Sequence, residues 1–350
     1  MAMSRALLVM MLVAGVTCKE YNLTGLHVKD NQFVNQAGQE VILRGMDHAG
    51  SEYACVQGWG LFDGPYNQTL IDGFKAWKAN AVRLPLNEDC WLSINGIKPE
   101  YSGSNYQDAI HKIAKLFTDA GMVVILDLHW TAPGGTKATG QQPMPNMDHS
   151  VDFWKSVAAS FKDYDKIIFE LFNEPYPDGG QWDSDNGWKC WRDGGSCNGL
   201  NFQAAGMQTL VNAVRSTGAK NVILLGGLAW SNSLNQWLQY KPTDSMNNTG
   251  ASWHSYNFNY CSQQSCWDSS VGKVKDKYPI VTTEFGENDC AGGYVTSLMQ
   301  WMDSKQLSYL AWTFNNWDCK SGPALIKDYV NGGTPTNYGQ AVKSHYASAV

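Results

Sequence analysis

Ile167-Ile168-Phe169-Glu170-Leu171-Phe172-Asn173-Glu174-Pro175 begins as a short, largely apolar run and ends in a polar pair before proline. Such a run is the pattern of a strand buried on both faces, and Pro175 stops any continuation as a ladder. Comparable runs recur at 41–46, 81–86, 122–128, 221–226, 251–256, 279–284 and 308–313, which makes eight candidate buried strands. Helical periodicity falls between some of them, at 69–77, 106–119, 151–161 and 202–216. Strand starts are spaced by about 28 to 54 residues, the length of a strand, a crossover helix and their loops. The fold class expected is therefore α/β, with a single (β/α)8 TIM barrel as the architecture. A doubly wound open sheet is the structural alternative, but no G-x-G-x-x-G or Walker loop accompanies these strands. Residues 26–39, with turns at Asn31-Gln32 and Ala37-Gly38, predict a β-hairpin ahead of the first barrel strand, capping the barrel's N-terminal end.

Composition narrows the function. The 350 residues carry 26 Lys plus Arg against 32 Asp plus Glu, a net charge of −6, with no basic run. Nucleic acid is a poor partner for such a chain, because phosphate neutralisation needs clustered cations. The 43% hydrophobic content excludes a disordered protein, and no Pro/Ser/Thr-rich linker divides the chain. Fifteen tryptophans suggest either a large aromatic core or flat apolar platforms.

Residues 1–18 combine Arg5, an apolar run over 6–16 and smaller residues, the pattern of a secretory signal peptide. The run is too short to span a bilayer, so the expectation is a secreted, extracellular, monomeric protein with no membrane partner, its catalytic domain occupying 19–350. Setting Cys18 aside with the leader leaves Cys55, Cys90, Cys190, Cys197, Cys261, Cys266, Cys290 and Cys319. Neighbours in this order are expected to pair as four loop-pinning disulfides, although sequence alone leaves all connectivities open. Zinc is the competing use of these thiols, and the spacings lack two short C-x2-C pairs. Asn-x-Thr sequons at Asn22, Asn67 and Asn247 are compatible with glycosylation.

In a barrel, chemistry comes from the C-terminal tips of the strands. There the chain places Arg83, His129, Asn173-Glu174, His254, Tyr256, Glu284 and Trp312. Two carboxylates on separate strands, with abundant Trp, suit glycosidic bond hydrolysis. One carboxylic acid protonates the leaving oxygen, and the other carboxylate works on the opposite side of the sugar. Asp127 and Glu170, inside apolar runs, are expected to be paired rather than to do chemistry themselves.

Taken in order, Val82-Arg83-Leu84-Pro85, Asp127-Leu128-His129-Trp130, Leu171-Phe172-Asn173-Glu174-Pro175, His254-Ser255-Tyr256, Thr283-Glu284-Phe285-Gly286 and Trp312 resemble glycoside hydrolase family 5, the cellulase family of clan A retaining glycosidases. The resemblance runs from about Val41 to Tyr346. It implies that Glu174 is general acid/base and Glu284 the nucleophile, with carboxyl groups roughly 5 Å apart. It implies Arg83 and Tyr256 beside Glu284, holding it ionised, while the Glu284 charge keeps Glu174 protonated. Arg83, His129, Asn173, His254, Tyr256 and Trp312 are the implied substrate-binding set, with Asn173 at the sugar 2-hydroxyl, His129 and His254 hydrogen-bonding the sugar or the carboxylates, and Trp312 bordering the sugar; neither cofactor nor metal is implied.

The activity this suggests is a secreted retaining endo-β-1,4-glucanase acting on a polysaccharide through a covalent glycosyl-enzyme. An endo-β-1,4-mannanase or other β-glycanase on the same catalytic set is the alternative, and a catalytically inactive carbohydrate-binding barrel is the reading from a different class. Trp59, Trp91, Trp130, Trp182, Trp188, Trp191 and Trp267 fall in expected loops, about half of them expected at the substrate. Trp77 and Trp154 fall on helices and are expected in the core. The insertion 178–200 is where selectivity is expected to be set. A serine-esterase reading lacks G-x-S-x-G, and a zinc-hydrolase reading lacks H-E-x-x-H.

Overall fold

A computed structural model of the chain describes residues 22–348; the expected leader at 1–18 lies outside them. Eight parallel strands close into a barrel in chain order: Arg44–Asp47, Ala81–Asn87, Val123–Trp130, Ile167–Glu170, Ile223–Gly226, Thr249–Tyr256, Ile280–Gly286 and Ser308–Ala311. Closure is made where Tyr309 of the eighth strand stands opposite Arg44 of the first. Gln68–Ala76, Ser104–Asp119, Ser150–Phe161, Met207–Ser216, Gly293–Ser304 and Asn337–Ser348 are the longer crossover helices, and the expected (β/α)8 barrel is the fold. No described helix is long and apolar enough to cross a membrane.

Strand parity arranges the interior. Successive side chains on a strand face opposite sides, so residues two apart share one. On the third strand Val124, Leu126 and Leu128 join the core between sheet and helices, whereas Val123 and Ile125 enter a second cluster inside the barrel. Asp127 and His129 continue that inward parity toward the C-terminal end. The second strand repeats it: Ala81 joins the inner cluster and Arg83 follows two residues on. The interior is thus apolar at the N-terminal end and charged at the other.

The expected hairpin closes the apolar end. His27–Lys29 pairs antiparallel with Gln32–Val34, and Phe33 packs with Leu26, Val41, Leu43 and the inner strand residues. Lys29 stands opposite Gln32, so the turn is Asp30-Asn31, one residue earlier than expected; Asp30 takes the left-handed conformation (φ 55°) that short Asx side chains tolerate. The first barrel strand starts at Arg44 rather than at 41, because Val41 N–H donates to Phe33 O of the hairpin at 2.8 Å. The fourth long helix starts at Met207 rather than at 202, because Gln203–Ala205 pairs antiparallel with Gly194–Ser196.

Disulfides join Cys55–Cys90, Cys190–Cys197, Cys261–Cys266 and Cys290–Cys319, the neighbouring pairs expected. Within the 178–200 insertion lies a helix, Asp185–Asp193, whose start is capped by Ser184 Oγ accepting from Gly187 N–H. It buries Trp188 and Trp191, three residues apart on one face.

Phe33→Ala removes the largest side chain of the hairpin from the inner cluster. We expect a loss of about 3–5 kcal/mol in unfolding free energy, measured by denaturant titration.

Candidate active site

At the charged end of the interior sits Arg83, fully buried. Its Nε donates to Glu170 Oε2 at 2.5 Å, Nη1 to Glu284 Oε1 at 2.7 Å and to Asp47 Oδ1 at 3.0 Å, and Nη2 to Asn173 Oδ1 at 2.8 Å. Nη2 also lies 2.9 Å from Asp127 Oδ2. Burial works against the guanidinium charge, and the carboxylates, Asp127 foremost, outweigh it. One cation therefore gathers side chains from the first, second, third, fourth and seventh strands or their tips. Asp127 and Glu170, expected to be paired, are two of its partners.

Glu284 and Glu174 stand beside this hub. Glu284 accepts from Arg83 on Oε1 and from Tyr256 OH on Oε2 at 2.6 Å. Glu174 Oε1 lies 2.8 Å from His254 Nδ1, and Gln141 Nε2 donates to Glu174 Oε2 at 2.8 Å. One oxygen of each glutamate and a nitrogen of His254 lie within 4.8 Å of one another. His129 Nδ1 is 2.6 Å from Asp127 Oδ2, and its ring stacks on Trp312 at 5.5 Å with 7° between planes. Asn173 Nδ2 is buried and has no partner. All eight residues singled out in the sequence thus converge on one place.

A bulge shapes the seventh strand. Trp253 stands opposite Thr282 and His254 opposite Glu284, so Thr283 is an extra residue in the ladder. Consecutive side chains ordinarily face opposite ways, and a bulge breaks that alternation. Here Thr283 Oγ1 reaches His254 Nε2 at 3.0 Å and Glu170 Oε1 at 2.7 Å, while its neighbour Glu284 reaches Arg83.

Burial sets the proton affinities. It pushes Glu174 up to about 7, against the hydrogen bond from Gln141 and the charge of Arg83; Glu170 adds to the rise. The leading cause is burial rather than the Glu284 charge invoked from sequence. Burial raises Asp127 to about 7 despite Arg83, and lowers His129 to about 3 and His254 to about 4, so both imidazoles are neutral near pH 7.

The two glutamates open into a cleft of about 570 Å³. Trp182, Trp230, Phe258, Tyr260, Trp312, Trp317 and Pro323 are among the residues that line it. Trp230 stacks on Tyr176 at 4.6 Å and meets Trp182 edge-on at 4.9 Å. Of the tryptophans expected in loops, Trp182 lines this cleft, Trp59 is exposed and Trp130 half-buried. Trp91, Trp188, Trp191 and Trp267 are core residues instead, each indole N–H donating to an oxygen of the protein. Trp77 and Trp154 are core residues, as expected.

Sequence reasoning missed Gln141, Thr283, Asp47 and Trp230. Asp47 shares inward parity with Gly45 on the first strand, a signal that could have found it. Gln141 carries none, because its loop is placed by Asp89 and Glu88 from another strand tip: Ala138 N–H donates to Asp89 Oδ2 at 2.9 Å, and Asn146 Nδ2 to Glu88 Oε1 at 2.7 Å.

A family model described as Cellulase (glycosyl hydrolase family 5) matches residues 34–318. The chain is 21% identical over 320 residues to endoglucanase E-5 of Thermobifida fusca, covering 89% of this chain but 59% of that protein. The chain therefore spans less than two thirds of that relative. It is also 21% identical to the mannan endo-1,4-beta-mannosidase of Salipaludibacillus agaradhaerens, covering 84% of each. Among solved structures, the beta-glucanase SdGluc5_26A from Saccharophagus degradans in complex with cellotetraose shares the fold, with a TM-score of 0.70, 22% identity, and 93% of this chain and 94% of that one covered.

The buried groups make stability depend on pH. Asp127 and Glu174 at about 7, with Glu52 and Glu88 pushed by burial to about 8, bind protons more tightly folded than unfolded, so their contribution is lost as pH rises. His48, at about 4, joins His129 and His254 in the opposite sense, losing stability as pH falls below the ordinary histidine range. The two sets oppose one another between about pH 4 and 6.5, and above that window only the carboxyl groups act. Thermal unfolding should show a Tm that falls steadily between pH 6.5 and 8; a flat or rising Tm there contradicts the assignment.

Proposed function

The chain belongs to glycoside hydrolase family 5, the cellulase family, and from that premise we propose that it is a retaining endo-β-1,4-glucanase with Glu174 as general acid/base and Glu284 as nucleophile. The observation that carries the reading is the approach of Glu174 and Glu284 to within 4.8 Å, on the tips of different strands. Retaining glycosidases hold their carboxyl groups about 5 Å apart, whereas inverting ones leave room for a water between them.

Each residue then has a task. Glu284, anchored by Arg83 and Tyr256, attacks the anomeric carbon as Glu174 delivers its proton to the glycosidic oxygen; the C–O bond breaks and a glycosyl-enzyme ester forms. Water then attacks the same carbon, Glu174 takes its proton, and Glu284 leaves as carboxylate. Burial keeps Glu174 protonated for the first step. Asn173 Nδ2, the unpartnered donor, is suited to the sugar 2-hydroxyl, His129 and Trp312 line the cleft that receives the ring, and the buried His254 touches Glu174. Arg83 supplies the positive charge at Glu284, so the mechanism calls for neither metal nor cofactor.

A β-1,4-glucan is favoured as substrate by the endoglucanase relative and by the aromatic walls, which offer flat faces to pyranose rings. The mannosidase relative, aligned over 84% of both chains, supports β-1,4-mannan as the second reading. Export to an extracellular space is supported by four disulfides, which persist in oxidising compartments. Asn22, Asn67 and Asn247 are exposed, as glycan attachment requires. Action as a monomer completes the proposal.

Reducing-sugar release from soluble β-1,4-glucan, β-mannan and xyloglucan tests the substrate; the greatest release is expected from glucan, and a preference for mannan replaces the proposed substrate. Glu174→Gln and Glu284→Gln should each lower turnover by about 10²-fold or more at unchanged fold. The first product observed by NMR should be the β-anomer, and an α-anomer overturns the retaining mechanism. Dialysis against EDTA should leave the rate unchanged.

A further inference from the structure

The hydrogen bonds around His254 form a chain with one consistent direction. At its far end Glu170 Oε2 is taken by Arg83 Nε, leaving Oε1 as an acceptor for Thr283. A threonine hydroxyl has one proton, and this carboxylate can only accept, so the Thr283 proton points at Glu170. What Thr283 Oγ1 then offers His254, 3.0 Å away, is a lone pair. His254 Nε2 must donate, and in a neutral imidazole Nδ1 is consequently a bare acceptor. That nitrogen faces Glu174 Oε1 at 2.8 Å, a contact that is a hydrogen bond only when Glu174 carries the proton.

We propose that Thr283 is a positioning residue for the reaction proposed above, and rests on that reading: by fixing His254 as the Nε2–H tautomer it gives the proton of Glu174 an acceptor, keeping Glu174 in its acid form and oriented beside Glu284. With the tautomer fixed, the lone pair on Nδ1 repels a Glu174 carboxylate and welcomes a Glu174 hydroxyl. Were the tautomer free, an Nδ1–H would donate to Glu174 and favour its ionised form. Thr283 is placed for this by the bulge, which turns it inward beside Glu284.

The other titratable and charged groups facing the imidazole are Glu284, whose Oε2 lies 3.6 Å from Nδ1, Glu170, whose Oε1 lies 4.0 Å from Nε2, and Arg83 and His129. Arg83 and His129 oppose protonation of His254, and Glu284 and Glu170 favour it; burial is the largest influence and keeps the ring neutral. Glu174 also faces Gln141, which donates to Oε2 and leaves Oε1 for His254.

Two measurements decide the matter. Proton–nitrogen correlation spectra of the imidazole in the unsubstituted protein at pH 6.5 should show His254 protonated on Nε2 and bare on Nδ1; a proton on Nδ1, alone or with one on Nε2, overturns the proposal. Thr283→Val keeps the shape and removes the hydroxyl, and should move the basic limb of kcat/KM on soluble β-1,4-glucan down by about one pH unit. Thr283→Ser should restore the limb. An activated aryl β-cellobioside, whose leaving group needs little protonation, should lose less than about threefold where the polymer loses about tenfold. A basic limb in Thr283→Val that coincides with the unsubstituted one also overturns the proposal. If Thr283→Val does not fold, the spectra of the unsubstituted protein still decide. If no glycoside is cleaved, it is the enzymatic reading that fails, and the tautomer remains measurable.

Discussion

A single buried guanidinium holds the C-terminal end of this barrel together. Around Arg83, the carboxylates of Asp47, Asp127, Glu170 and Glu284 would repel one another, and each by itself would be costly to desolvate. With the cation between them, five strands or strand tips are referred to one point, and the direction of Glu284 follows from it. The apolar layers beneath, sealed by Phe33, exclude water from the other end of the interior. Low local dielectric strengthens every charge–charge interaction above them.

The hub also explains why two glutamates so close together have different characters. Glu284 is bonded on one oxygen by Arg83 and on the other by Tyr256, both donors. Glu174 lies beyond the guanidinium's hydrogen-bonding reach and meets a neutral amide and a neutral imidazole. Glu284 thus meets donors on both oxygens, whereas Glu174, whose proton affinity is raised chiefly by burial, faces one donating amide and one imidazole.

Much of this was legible in the sequence because it depends on local pattern. Short apolar runs mark the strands, and their C-terminal ends mark the barrel's working end; Asn173 and Glu174 stand just after such a run, Glu284 ends one and Arg83 lies within one. Parity adds more, since Asp127 and His129 continue the inward face of Val123 and Ile125. What stayed hidden depends on distant parts of the chain. Gln141 reaches Glu174 only because Glu88 and Asp89 tether its loop. Thr283 acts as it does only because of a bulge, and nothing in Thr282-Thr283-Glu284 announces the lost alternation. Trp188 and Trp191 looked like platforms because a Gly-rich insertion concealed the one-sided helix that buries them.

The four disulfides have a topological property that matters for making the molecule. Their sequence separations are 35, 7, 5 and 29, and each bridge closes before the next one opens along the chain. None interleaves with or encloses another. Among these eight cysteines, each bridge joins a cysteine to the nearest unpaired one behind it, so wherever these thiols are oxidised in chain order each pair can be complete before the next pair has been synthesised, and chain order disfavours scrambled isomers.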